Sequence, residues 1–211
     1  QASGWNRDKV YPLLGFDNLD FMEDYRDVSY VRNYISDASD MEHIIETYEK
    51  NKASGKPAFI FNVTMQNHGG YTDTYMNLTN DIQSQYASEP LNQYLTLIHK
   101  TDQALENLID YFSKVDDRTI IVFFGDHQPN DTVASVVENG AQAETQKRYL
   151  VPYLVWSNYG IEGAKDKNTS LNYLAAQVLT AAGVPTNAYQ NYLLSLSKTY
   201  PVISAAGQTK G

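Results

Sequence analysis

The sequence contains no cysteine, so its 211 residues can form no disulfide, no thiolate metal site and no cysteine nucleophile. This absence leaves the compartment open, because an exported protein that avoids thiol chemistry and a cytosolic one both fit. Basic charge is scarce: 16 Lys and Arg stand against 25 Asp and Glu, for a net charge of −9. Sequence-independent binding to DNA or RNA needs a basic face, so nucleic acid is not an expected partner. Long apolar runs are also missing. No stretch approaches the roughly 18 residues of a membrane span, and no charged-then-apolar leader opens the chain. These residues are therefore expected to be soluble, with any membrane association made through an anchor outside them. The composition that is present, 42% hydrophobic and 19% charged, is that of a folded globular protein, and the length suits one domain. The chain begins at Gln1 rather than Met, three residues before Gly4-Trp5-Asn6-Arg7, which predicts an excised piece of something longer.

Periodicity predicts an α/β fold. Residues 1–38 are rich in aromatics and turn formers and predict a loop-rich start, with a short extended piece at Tyr25–Tyr30. Met41, Ile44, Ile45 and Tyr48 follow helical spacing behind an Asp40 cap, and Gly55 and Pro57 stop that helix. Phe59–Val63 reads as an apolar strand, followed by a polar segment at 69–88 that predicts an ordered loop. Ser88 opens the longest helix, whose stripe includes Leu91, Tyr94, Leu95, Ile98, Leu105, Leu108, Ile109 and Phe112. Thr101 and Asp102 interrupt the stripe on or near its buried face, and Asp102 is expected to have a hydrogen-bonding partner, whereas His43 and His99 are expected to face solvent. Thr119–Phe124 and Tyr149–Trp156 predict two more strands, with Pro152 implying an edge or a bulge. A short helix is possible at Thr132–Val137. Thr169 or Ser170 caps a further helix through Leu179, and Tyr189–Leu196 reads as a last one. Strand, helix, strand, helix in this order predicts right-handed crossovers and a largely parallel sheet covered by helices.

Chemistry concentrates at strand ends. Gly125-Asp126-His127 directly follows the Thr119–Phe124 run, at the carboxyl end where open α/β sheets place ligand sites. A carboxylate and an imidazole there can converge on a divalent ion such as Mn²⁺ or Zn²⁺; a turn-forming Asp beside an incidental His fits the same three residues. Asn67-His68-Gly69-Gly70 follows the Phe59 strand in the same manner, so two strands end in histidines.

Phe124-Gly125-Asp126-His127-Gln128-Pro129, Val63-Thr64-Met65-Gln66-Asn67-His68-Gly69, and Gly4-Trp5-Asn6-Arg7-Asp8 followed by Gly15-Phe16-Asp17 resemble the C-terminal part of the lipoteichoic acid synthase-like branch of the sulfatase and alkaline phosphatase superfamily. The resemblance covers nearly the whole chain. It implies a partial sulfatase-like domain over residues 1–211, in which Asp126 and His127 bind a divalent metal, usually Mn²⁺ in this branch. His68 would contact the transferred phosphoryl group, and Trp5 and Arg7 would flank bound glycerol phosphate. An Arg fork suits phosphate oxygens. The resemblance also places the nucleophilic Thr and a metal-binding Glu upstream of the Trp-Asn-Arg segment. Neither half-motif is present, so the catalytic nucleophile is assigned to no residue here, Thr64 included.

With only two protein ligands, tight metal binding is not expected, because catalytic sites normally use at least three. The resemblance therefore implies the C-terminal portion of an extracytoplasmic, metal-dependent phosphoglycerol transferase-like enzyme, inactive alone. The intact enzyme would act at the extracellular face of the cell membrane, moving glycerol phosphate from a lipid donor to a cell-envelope polymer. Its expected partners are that lipid or polymer substrate and the missing N-terminal half of the domain. A hydrolase of the same superfamily, acting on a sulfate ester or phosphodiester, is the first alternative. The second is a non-catalytic domain that binds anionic polymer through Trp5, Arg7 and His68, a role the acidic net charge of −9 disfavours.

Overall fold

The computed structural model describes residues 4–130, 133–134, 136, 149–162, 167–204 and 207–209. The chain divides into two compact units, residues 1–108 and 109–211. The expected helix at Thr132–Val137 lies largely outside the described residues.

In the first unit, a 3-10 turn at Gly4–Asn6 leads into α1 (Arg7–Leu13), an ordered start to a region expected to be loop-rich. A two-residue hairpin joins β1 (Tyr30–Val31) to β2 (Tyr34–Ile35), with Val31 opposite Tyr34. The next helix, α2 (Asp37–Lys52), is capped by Ser36, whose hydroxyl accepts from the Ser39 amide; Asp40, expected as the cap, sits inside the first turn. There it is buried, accepting from the Tyr25 hydroxyl at 2.6 Å and the Asn62 amide at 2.9 Å. Burial, and then the Asp40 carboxylate, push the Tyr25 hydroxyl well above its usual range. His43, expected to be free in solvent, stacks on Tyr25 at 4.2 Å and lies 3.0 Å from an Asp20 carboxylate oxygen.

Helix α3 (Glu89–Phe112) begins after Ser88 and runs across the boundary between the units. Its buried positions include Leu97, Thr101, Ala104, Leu105 and Leu108, while Ile98 is 40% exposed. The expected stripe was therefore one residue out of phase at this point: Leu97 and Ile98 are both apolar, and only packing chooses between them. That choice buries Thr101 and turns Asp102, expected to need a partner, outward to solvent. His99 is exposed as expected.

The second unit centres on β3 (Ile120–Phe124) and β4 (Tyr153–Ser157), which pair from Ile120 opposite Ser157 to Phe124 opposite Tyr153. Pro152 lies just before β4, where its missing amide costs no ladder bond. The Asn158 side chain ties down the chain entering β3. Its amide donates to the carbonyls of Phe112, Val115 and Asp117 at 3.1, 2.9 and 2.8 Å, and its oxygen accepts from the Thr119 amide at 2.9 Å. Helices α4 (Leu171–Ala181) and α5 (Ala188–Thr199) pack on each other and bury Tyr173, Leu174, Ala176 and Leu193. Ser170 precedes α4, but its hydroxyl bonds the Ile203 carbonyl and amide rather than the helix. Ile203 belongs to a final hairpin of β5 (Val202–Ser204) and β6 (Gly207–Thr209).

The architecture is mixed α/β, as the sequence indicates, but every strand pair among the described residues is antiparallel, where a largely parallel sheet was expected. The apolar pattern of Tyr149–Trp156 is the same whichever way the strand pairs, so only the observed register, Ile120 opposite Ser157 to Phe124 opposite Tyr153, sets its direction. Phe59–Val63 joins no ladder among the described residues. Phe59, Phe61 and Val63 are exposed while the residues between them are half-buried, the alternation of an extended segment. Phe59 and Phe61 contact Phe16 at 6.0 and 6.3 Å, and Phe61 also meets Tyr11 of α1 at 6.2 Å.

Candidate functional site

The five sequence-predicted site residues fall in both units. Trp5, Arg7 and His68 belong to the first, Asp126 and His127 to the second.

Trp5 and Asn6 carry φ values of 56° and 51°, a left-handed backbone that non-glycine residues adopt at a cost on the order of 1 kcal/mol each. The turn they make leaves the Trp5 ring 87% exposed. It also folds the half-buried Arg7 guanidinium back toward Gly4, whose hypothetical Cβ would lie 3.8 Å from an Arg7 terminal nitrogen. The segment thus carries an exposed indole, able to serve as a stacking face, and a guanidinium, a planar donor fork.

His68 sits in a tight turn closed by its own amide donating to the Met65 carbonyl at 3.0 Å. That turn rests on a buried polar cluster. Fully buried Gln66 accepts from the Asp37 amide at 3.1 Å and donates to the Leu97 carbonyl and the Thr101 hydroxyl oxygen, each at 3.3 Å. Asn67 donates to the Thr101 oxygen at 2.7 Å, and the Thr101 hydroxyl donates to the Asp37 carboxylate at 2.5 Å. Burial raises the Asp37 carboxyl from 3.8 to about 6, against the opposing pull of the Thr101 bond. Arg32 and Tyr34, on the β1–β2 hairpin, complete the surroundings: Arg32 donates to the carbonyls of Gln66, His68 and Gly70, and the Tyr34 hydroxyl lies 3.3 Å from His68 Nδ1.

Asp126 and His127 occupy the turn after β3. Gly125 is required there by close approach: a Cβ at this position would stand 3.3 Å from Val151 Cβ. Its amide donates to the Pro152 carbonyl at 3.2 Å, holding the exit of β3 against the entry to β4. The His127 amide donates to Asp126 Oδ1 at 2.9 Å, and His127 Nδ1 lies 2.8 Å from the Gln128 carbonyl oxygen. A carbonyl only accepts, so Nδ1 carries the ring proton and Nε2 keeps its lone pair. Nε2 is 3.5 Å from Asp126 Oδ2, and both side chains are exposed. Two donors that far apart can each lie about 2.1 Å from one ion, so the pair fits one edge of a metal's coordination shell. Among the described residues no group of three or more His, Asp or Glu could close around a metal.

The Sulfatase family profile matches residues 1–184, most of the chain. The chain belongs to the sulfatase family. This sulfatase-family chain is 28% identical over 213 aligned positions to a Rhizobium meliloti (strain 1021) protein named for cyclic beta-1,2-glucan modification, covering 94% of the chain and 33% of that protein. It is also 28% identical to the lipoteichoic acid synthase-like YvgJ of Bacillus subtilis (strain 168), over 71% of the chain and 24% of YvgJ. The chain thus spans about a third or less of the length of these relatives. Its fold matches the Streptococcus pyogenes phosphoglycerol transferase GacH, solved in complex with sn-glycerol-1-phosphate, with a TM-score of 0.69 at 18% identity, covering 98% of this chain and 55% of that one.

The sequence reading missed Arg32, Tyr34, Asp37 and Gln66; it placed Thr101 near the buried face of the long helix, as found, but gave it no role. A signal for the hairpin was present in Tyr30-Val31-Arg32-Asn33-Tyr34-Ile35, two β-prone pairs separated by two residues, but it lacks the glycine that marks such turns.

Proposed function

We propose that this chain is the C-terminal portion of an extracytoplasmic, metal-dependent phosphoglycerol transferase-like enzyme that moves glycerol phosphate from a lipid donor to a cell-envelope polymer. The observation that carries this reading is the fold match to a phosphoglycerol transferase solved with sn-glycerol-1-phosphate, spanning 98% of the chain. Asp126 and His127 would hold the divalent cation, proposed to be Mn²⁺, which when bound would polarise a phosphoryl oxygen. Arg7 would direct its fork at the phosphate oxygens, His68 would donate a hydrogen bond to the transferred phosphoryl group, and Trp5 would cover the glycerol. The nucleophile and the remaining metal ligand would come from an upstream half of the same domain. The open apolar segment Phe59–Val63 supports further polypeptide completing that layer. The resulting enzyme would work at the outer face of the cell membrane.

The test uses the complete protein, with a glycerol-phosphate lipid, a polymer acceptor and Mn²⁺. Glycerol phosphate should appear on the acceptor as the donor's lipid moiety is released. Replacing Arg7 or His68 by Ala should lower kcat/KM by roughly 10²–10³, the loss typical of a donor to developing charge, with the fold retained. Full turnover in Arg7→Ala would remove the phosphoglycerol assignment. The family match favours a second reading, hydrolysis of a sulfate ester or phosphodiester. Release of free product without any transfer to the acceptor would select it.

A further inference from the structure

We propose that Arg32 and Tyr34 are positioning residues for His68: Arg32 fixes the backbone of the turn that carries it, and Tyr34 holds its ring in the Nε2–H form, the tautomer that donates to a phosphoryl oxygen. The role of His68 toward phosphate rests on the function proposed above; the positioning itself rests on the geometry of the first unit alone.

Arg32 takes the first central position of the two-residue β1–β2 turn with a φ of 57°. Primed hairpin turns put glycine at such positions, and an arginine there costs about 1–2 kcal/mol of backbone strain. Strain of this kind persists where surrounding contacts over-determine it. Here the contacts belong to the side chain. It is 4% exposed and lies over the rings of Tyr34, Tyr71 and Tyr75 at 5.4, 5.6 and 5.9 Å. Among the described residues it forms no ion pair; instead its terminal nitrogens donate to the carbonyls of Gln66 at 2.6 Å, His68 at 2.7 Å and Gly70 at 3.0 Å. A buried cation compensated by carbonyls and ring faces but by no carboxylate is a costly way to gain stability. What it achieves is specific: alternate residues 66, 68 and 70 are curled around one planar donor. The Asn77 side chain locks the hairpin in turn, donating to the carbonyls of Tyr30 and Arg32 at 3.0 Å each.

Tyr34 is at the other end of the same turn. Its hydroxyl oxygen is 3.3 Å from His68 Nδ1, and the two rings lie 5.9 Å apart at 50°. A neutral imidazole has one acceptor nitrogen and one donor, and a phenol facing the acceptor supplies a proton to it. With Tyr34 donating to Nδ1, the ring proton resides on Nε2. This arrangement is opposite to that at His127, where a carbonyl holds the proton on Nδ1 and frees Nε2 as a ligand lone pair.

The experiment is imidazole ¹⁵N NMR on the chain labelled at its four histidines, with His68 assigned by substitution, at about pH 8.5 where free imidazole is neutral. His68 should show an unprotonated, hydrogen-bonded Nδ1 and a protonated Nε2. In Tyr34→Phe the Nδ1 resonance should move toward that of free imidazole. In Arg32→Gly, which suits the left-handed backbone and keeps the hairpin, the resonance should broaden or split as the turn loses its single conformation. Titration with sn-glycerol 1-phosphate should weaken by roughly three- to tenfold in either variant. A proton on Nδ1 in the wild type, or an Nδ1 shift unaltered in both variants, overturns the proposal. If the shifts behave as expected and the wild-type chain binds no sn-glycerol 1-phosphate, the positioning stands and the phosphoglycerol reading is what loses support.

Discussion

The His68 turn and the Asp126-His127 turn are both polar turns entered from apolar extended runs, yet they are held in opposite ways. The His68 turn is tied by partners 29 to 38 residues away in sequence, through Arg32, Asp37, Leu97 and Thr101. Asp126 and His127 bond each other and Gln128, their immediate neighbours, and their side chains are 82% and 71% exposed. If His68 faces a phosphoryl group as proposed, it needs a fixed direction, which these long-range hydrogen bonds would supply. If Asp126 and His127 hold a metal as proposed, their final order would come from the ion and its remaining ligands, and local bonds that set the tautomer would be enough.

The largest expected effect that sharpens this contrast is the pH response of the buried cluster under His68. Asp37 is raised from 3.8 to about 6, so its protonated form is favoured in the folded state. Its stabilising contribution is fully present below about pH 4 and is lost as pH rises through about 6. At about 1.4 kcal/mol per unit, this amounts to about 3 kcal/mol. Urea unfolding of wild type and Asp37→Asn from pH 4 to 7 should show a slope in the wild type that the variant lacks. Equal slopes in both would deny that Asp37 is the sensor.

In the second unit Asn158→Ala removes three donated bonds and one accepted bond and should cost about 2–3 kcal/mol, read by urea denaturation. A neutral result would mean that the β3–β4 ladder alone positions the start of β3. Gly125→Ala places a methyl 3.3 Å from Val151 Cβ and should cost about 1 kcal/mol, read as a lowered Tm. Mn²⁺ is expected to have the smallest effect. With two protein donors in reach, calorimetric titration of the chain should give an affinity weaker than micromolar. Submicromolar binding would show that the Asp126-His127 turn is as complete as the His68 turn.

The place of Asp126 and His127 directly after β3 was legible in the sequence, because the apolar run before them needs no tertiary information; the same pattern before His68 proved to be an extended segment that joins no ladder among the described residues. The α/β class and the long helix after Ser88 were legible for the same reason. Strand direction was not: the pattern of Tyr149–Trp156 is the same whichever way it pairs. Nor was the support beneath His68. A buried Asp37 next to a serine cap reads as an ordinary first-turn acid. Arg32 between tyrosines reads as surface charge until its three carbonyl partners, distant in sequence, are brought to it. Thr101 was placed near the buried face, but its bonds to Gln66, Asn67 and Asp37, the centre of that network, could not be read from the sequence.

Asn158 also fixes a length. One side chain just after β4 measures the path from the last turn of α3 to the residue before β3, counting it off at Phe112, Val115, Asp117 and Thr119. An added residue anywhere between 113 and 118 would leave some of those groups without their partner, or push β3 one place along its ladder and turn Asp126 to the other face. An insertion or deletion in this connection is therefore expected to cost stability, although from its polarity it looks like any other surface loop.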